Sequence, residues 1–432
     1  MKSPRSITAG ELAARGAKDL PDMFDPAKHL VYSSPATLAF NSPGAQGFGV
    51  KRAGLAVPGS VMLLVAPRCC GRNTAALGGP GAYADRFYYL LLDDTDIVTG
   101  RHLVRIPEAV REICADRAEV PSAVMICITC VDALLGTDME RVCRKCEETA
   151  HVPTVPCYMY ALTREGRLPP MAAVRKSVYS LLEPRPKRAD AANLLGFFSP
   201  LAPECELFSL LERAGVRHVR EIARCADFAE YRQMAEANFN LVLNPEARYA
   251  AQDLQERLHI PYIELALRYD TEKNRRQYAA LGAALGVQFD DTPFAEAAEE
   301  AVSAFLRNFA GMRFAVGEWL NGDPFELALA LVRSGLVVEE IFGTPGAANF
   351  VYLRKLAELS PATRVYSNLD PSMLHYRAED APEIDAALGQ DAMYYHPGAP
   401  GLRWNGEVRP FGHAGVRELF VRLGQTLREA KK

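Results

Sequence analysis

The sequence predicts an α/β protein built on open, doubly wound parallel sheets, and three observations carry that prediction. Short apolar, β-rich runs alternate with longer segments of helical spacing almost throughout, the pattern of βαβ units. A chain of 432 residues is too long for one ordinary core, so two or three domains of α/β size are expected. An apolar fraction of 49% supplies material for well-packed interiors.

In the first third the strand candidates are Val61–Ala66, Thr95–Val98, Ala123–Cys130 and Thr154–Tyr158, with helical spacing at Pro107–Asp116 and Leu134–Thr149. Prolines and basic residues in LLEPRPKRADAAN mark a linker near Pro184–Ala192. Beyond it NLLGFF, HVREIA, NLVLNP and IPYIEL read as strands, LFSLLERAG and YAAQDLQERLH as amphipathic helices, and Asn274–Gly286 as the closing helix. After an acidic connector, DDTPFAEAAEE, and its helix, RFAVGEWLNGDP opens another α/β unit, continued by ALALVRSGLVVEEIFG, RVYSNL and AMYYHP. A terminal helix is expected at Gly415–Ala430. The expected division is 1–186, 187–290 and 291–432.

A net charge of −4 without a basic run excludes broad attraction to phosphate backbones, so nucleic acid is not an expected partner. Nowhere do about 18 apolar residues run together, and the first twenty or so residues lack a secretory apolar core. No membrane association is expected, and the cytoplasm is the expected location. There, ten cysteines, eight of them between Cys69 and Cys157, point to metal or redox chemistry rather than to disulfides.

Two cysteines stand at the carboxyl ends of strands. In SVMLLVAPRCCGRN an apolar run is ended by Pro67 and followed by Arg68-Cys69-Cys70-Gly71; in SAVMICITCVDALLGTD a similar run ends at Cys130, with a helix starting soon after. Ligands of open α/β sheets bind beyond such strand ends. A helix start beside Cys130 would favour thiolate and an anionic cluster, and Gly71 and Gly136 would let backbone amides approach sulfur. A rival reading pairs Cys127-x-x-Cys130 with Cys143-x-x-Cys146 around a structural zinc, although strand alternation puts Cys127 and Cys130 on opposite faces and Cys143 and Cys146 share one helix face.

These residues carry a resemblance. Cys130-Val-Asp-Ala-Leu-Leu-Gly-Thr-Asp138, preceded by Thr129, resembles the Cys-x-x-x-Leu/Val-Ile-Gly-Asp-Asp motif of nitrogenase component 1 subunits, and Ala66-Pro67-Arg68-Cys69-Cys70-Gly71 is similar to their Gly-x-x-Gly-Cys turn. Thr95-Asp96-Ile97-Val98-Thr99-Gly100 resembles the family's Thr-Asp-x-Val-x-Gly strand; Asn240-Leu241-Val242 and Ile260-Pro261-Tyr262 resemble its second domain. The resemblance implies three Rossmann-like domains with parallel sheets and a homologous partner subunit in a dimer or α₂β₂ arrangement. It also implies an oxygen-sensitive iron–sulfur cluster bridging two subunits, either four-iron or similar to the P-cluster. An ATP-dependent iron–sulfur reductase homodimer would supply the electrons.

Departures qualify the ligand set. The family's third cluster cysteine should fall near Asn41-Ser42-Pro43-Gly44-Ala45, where none occurs, so either two thiolates per subunit hold a four-iron cluster or Cys69 adds to Cys70 and Cys130. Asn244 stands where the catalytic nitrogenase subunit has a cofactor-binding cysteine, and an amide is a poor substitute for thiolate on iron. A second metallocluster is therefore not expected in the standard manner. Substrate-side candidates are Asn244, Glu246 and Arg248, with His396 and His413 as proton donors or metal ligands; Pro410-Phe411-Gly412-His413 resembles the family's Pro-Tyr-His-Gly segment with His and Gly exchanged. The expected function is an electron-transferring subunit of a nitrogenase-like reductase acting on an organosulfur compound. The alternatives are a tetrapyrrole reductase subunit, a non-catalytic partner or cluster-assembly scaffold, and a metal-free α/β protein.

Overall fold

A computed structural model describes residues 3–25, 28, 30–31, 33–40, 53–67, 84–128, 135–158, 168–406 and 408–430. Three sheets form among them, and the chain divides into two units, one of residues 1–42, 201–214 and 267–432, the other of 43–200 and 215–266.

The second unit carries two four-stranded parallel sheets. The first has the order Phe87–Leu92, Val61–Pro67, Val124–Ile128, Thr154–Pro156. Period-two alternation sorts its side chains: Val61, Leu63, Val65, Val124, Ile126 and Ile128 face the helices His102–Asp116 and Met139–Ala150, whereas Met62, Leu64, Ala66, Met125 and Cys127 face the helix Pro170–Ser180. Buried on both faces, these strands read as continuous apolar runs. The other sheet has the order His218–Glu221, Arg188–Leu195, Ala237–Val242, Tyr262–Glu264. Helix Arg248–Leu258 packs Ala250, Ala251, Leu254 and Leu258 into the same core as Val174 and Val178 of Pro170–Ser180.

The first unit holds a six-stranded sheet, ordered Ile7–Thr8, Arg364–Tyr366, Val337–Phe342, Arg313–Gly317, Ala386–Leu388, Gly401–Leu402. The pairings are parallel except that of Ile7–Thr8, which runs antiparallel to Arg364–Tyr366. Phe314 and Val316 face a large core that includes Leu327, Leu353 and Leu419, while Ala315 faces a smaller aromatic layer of Phe342, Tyr366 and Tyr395. From Arg313–Gly317 the chain steps outward to Val337–Phe342 and Arg364–Tyr366, then returns to pair Ala386–Leu388 on the opposite side. That reversal is the switch point at which doubly wound sheets open a crevice.

Two expectations are corrected. Thr95–Val98 is no strand but part of the helix Asp94–Thr99, and the strand is the unforeseen Phe87–Leu92 just before it. The cause is a reciprocal cap: the Asp93 side chain accepts from the Asp96 amide at 2.7 Å, and Asp96 accepts from the Asp93 amide at 3.2 Å. This satisfies the first-turn donors and outweighs the β-preference of Ile97 and Val98. From Thr292 onward the acidic connector is itself helical, forming the start of Thr292–Phe309.

Candidate metal centre

The strands that precede the candidate cluster cysteines are direct neighbours. Val61–Pro67 and Val124–Ile128 pair in parallel with Val65 opposite Ile128, and Phe87–Leu92 flanks the first with Leu92 opposite Pro67. All three therefore leave the sheet at one edge. Cys69 and Cys70 follow the first strand and Cys130 the second; all three lie outside the described residues, as does Asn41.

The described rim of that edge is polar. Asp96, wholly buried, accepts from Arg101 Nε at 2.7 Å and pairs with Arg105. Burial pushes its carboxyl upward, but the hydrogen bonds from Arg101 and the Asp93 backbone, with the charge of Arg105, outweigh this and hold it below the usual carboxylate range. The ring of His102 lies 3.2 Å from the Asp96 carbonyl through Nδ1 and 3.4 Å from Thr137 Oγ1 through Nε2. Thr137 belongs to the Cys130 motif, so this histidine ties that motif to the neighbouring strand's exit. Gly136 turns there with φ +66, and Asp138 caps the helix Met139–Ala150 by accepting from the Arg141 amide at 2.9 Å. Leu135 is helical, and after the turn at Gly136 the helix Met139–Ala150 begins; the residues between Cys130 and Leu135 lie outside the described ones. Sequence reasoning missed Arg101, Arg105 and His102; the Asp-x-x-Asp cap before them was the available signal.

A four-thiolate zinc set is incompatible with the sheet. Cys127 lies with Cys157 on one face, Cys143 and Cys146 on the other, and all four are buried. Burial pushes the Cys143 and Cys157 thiols well upward and that of Cys146 to about 12, which leaves them neutral packing groups.

In the unit's other sheet, Arg188–Leu195 and Ala237–Val242 end side by side. Gly196, at φ +128, lets the Asn244 backbone approach so closely that a Cβ would sit 2.7 Å from its amide nitrogen. The Asn244 side chain accepts from the Glu246 amide at 3.0 Å and so caps the turn Pro245–Ala247. Glu246 pairs with Arg175 at 2.7 Å; Arg248 forms a two-pronged pair with Glu264 at 2.6 and 2.7 Å. Arg175, which the sequence reading passed over, is the buried anchor. It donates to the Gly196 carbonyl at 2.8 Å and the Met171 carbonyl at 2.9 Å, and its guanidinium lies 4.9 Å from the Phe198 ring centre.

His396 and His413 belong to separate networks of the first unit. His396 Nε2 lies 2.7 Å from buried Glu340, which also accepts from Tyr376 at 2.7 Å and Tyr366 at 3.0 Å. His413 Nε2 lies 2.8 Å from Asp291, and its backbone amide donates to Glu206 at 2.5 Å. Neither histidine lies at the sheet's switch point. There the structure puts Glu318 and Asp391, bridged by Asn368 Nδ2 at 2.9 and 2.8 Å. Asp391 also accepts from the Glu318 amide at 2.9 Å, against Gly317, where a Cβ would collide with its carboxylate. Burial pushes both carboxyls upward. An apolar strand ending in Gly-Glu and another in Gly-Gln-Asp were the signals for this pair.

A family model described as nitrogenase component 1 type oxidoreductase matches residues 45–397. The protein named nitrogenase iron-molybdenum cofactor biosynthesis protein NifE of Sinorhizobium fredii is 30% identical over 214 residues, covering 47% of this chain and 42% of its own. Its namesake of Mesorhizobium japonicum is 29% identical over 334 residues, covering 72% and 65% respectively. The chain thus spans between about two fifths and two thirds of these relatives' lengths. The solved structure titled "Nitrogenase Cp1 at pH 6.5" superposes with a TM-score of 0.66 at 15% identity, over 89% of this chain and 92% of that one.

Proposed function

Since the chain belongs to the nitrogenase component 1 type oxidoreductase family, we propose that it is the cluster-bearing subunit of a two-component reductase. Cys70 and Cys130, with Cys69 as a further thiol, hold an iron–sulfur cluster shared with a second component-1-type chain. An ATP-dependent iron–sulfur reductase homodimer supplies the electrons, and an organosulfur compound is the substrate. The single observation that supports the reading is the pairing of Val65 with Ile128, because it brings the two cysteine-bearing segments off adjacent strands at one edge. The donor set fits the group, since thiolates suit iron. Such a cluster stores and releases single electrons at low potential.

The chain's own contribution is positional. The Asp96–Arg101–Arg105 cluster fixes the corner after Phe87–Leu92, and His102 tethers the Cys130 motif to it through Thr137. Anaerobic purification with iron and sulfide analysis tests the reading. Wild-type protein should be brown, and Cys70→Ala or Cys130→Ala should bleach it and loosen the oligomer, whereas buried Cys143→Ala should retain iron. A colourless wild-type chain, or full iron in both cysteine variants, overturns it.

A second reading is an assembly scaffold that carries a cluster without turning over substrate. Asn244 favours it, since its side-chain oxygen is already engaged by the Glu246 amide, and the relatives' names point the same way. Reductase-dependent ATP hydrolysis coupled to electron uptake by the complex would decide for the first reading, and absence of such coupling for the second.

A further inference from the structure

The geometry points to an anion site, separate from the cysteine edge, that takes a small phosphorylated molecule in the cavity between the helices Thr271–Leu285, Pro324–Arg333 and Phe350–Leu359. The cavity measures about 390 Å³, within the range of ligand pockets, and five basic side chains line it against two acidic ones. Two of the five are already neutralised: Arg333 pairs with Asp270 at 2.6 Å and Arg276 with Glu272 at 2.9 Å. The other three are compensated more loosely, Lys273 and Lys355 by ion pairs at 4.0 Å and Arg268 and Lys273 by the charge of buried Glu326. Among the described residues no carboxylate comes within ion-pair distance of Arg268, whose guanidinium lies 5.2 Å from the Tyr352 ring centre. Lys273 is 5.1 Å from the same ring and no nearer than 4.0 Å to Asp270; Lys355 is 4.0 Å from Glu358.

Two cations gathered over one aromatic ring repel each other, and an anion with more than one charge removes that cost. Burial also lowers the Lys273 pKa, so its ammonium lacks the hydration that would otherwise stabilise it. A guanidinium fork beside two ammonium points matches the oxygens of a phosphate group better than a single carboxylate. Leu329 and exposed Val351 give the cavity an apolar wall on which the organic part of a phosphate ester would rest.

Inorganic pyrophosphate is the probe, titrated calorimetrically into the purified full chain at low salt. Saturable binding at or below millimolar concentration is expected, weakened about tenfold or more by the double variant Lys273→Gln/Lys355→Gln and by raised salt. Val351→Glu, at a site 60% exposed and therefore harmless to folding, should abolish it by placing a negative charge in the mouth. No saturable heat with wild type, or equal affinity in wild type and Val351→Glu, overturns the proposal. Stronger binding of a tricarboxylate than of pyrophosphate would also overturn it as to ligand class.

Discussion

Replacing Glu206 by alanine should destabilise the first unit severely. Glu206 opens the helix Glu206–Arg213, is 1% exposed, and aims its carboxylate at the start of the C-terminal helix Gly412–Ala430. It accepts from the His413 amide at 2.5 Å, the Ala414 amide at 3.0 Å and the Tyr278 hydroxyl at 2.8 Å. Removal strands two buried donors and one half-buried one, two of the three being first-turn amides of a 19-residue helix that has lost a favourable negative charge. At about 1–3 kcal/mol for each unsatisfied group, and allowing for partial relaxation, the loss should be roughly 3–5 kcal/mol. For a unit of about 200 residues that lowers the melting midpoint by on the order of 10 °C. Differential scanning calorimetry of Glu206→Ala beside the exposed control Glu212→Ala measures it. A Glu206→Ala midpoint indistinguishable from the control would refute the capping argument.

Gly412→Ala should fail at the same joint: at φ +62 an added Cβ would collide with the Glu206 carboxylate and the Tyr278 hydroxyl, and a loss of roughly 2–4 kcal/mol in thermal unfolding is expected. Burial lifts the Glu326 carboxyl to about 7, against the Tyr269 amide bond and the charges of Lys273 and Arg268, which pull it down. Because its folded value exceeds the unfolded 4.5, the native state binds the proton more tightly, so stability falls as pH rises from 4.5 to about 7. Glu326→Gln keeps an acceptor for Tyr269 and should therefore raise the unfolding free energy near pH 8 by up to roughly 3 kcal/mol, with little effect near pH 4; a wild-type advantage at the higher pH would contradict this. Arg175→Lys cannot reach Gly196, Met171 and Glu246 together and should cost the second unit roughly 2–4 kcal/mol in urea unfolding, where an unchanged midpoint would count against the anchor.

Local order alone makes much of this molecule legible. Val61–Pro67 and Val124–Ile128 are found from their apolar runs because both faces of a parallel strand are buried, so the signal is continuous and unambiguous. Arg248–Leu258 follows from its helical spacing. The cysteines after the two strands, and the resemblance they carry, are equally local. Thr95–Val98 misleads for the opposite reason: β-branched composition is a weak preference, and one pair of aspartates three residues apart supplies enough hydrogen bonding to reverse it.

Long-range pairing decides the rest. Nothing in the residues around His413 names Asp291 and Glu206 as its partners, which lie 122 and 207 positions away. Nor does any short segment foretell that Glu318 and Asp391 meet through Asn368, or that Arg175 braces the Asn244 turn. Periodicity, turns and caps are properties of neighbouring residues, so composition and spacing reach most of the elements. Which buried charge finds which partner depends on sheet order and register, set by the joint burial of every strand and helix, and that information exists only once the chain has folded.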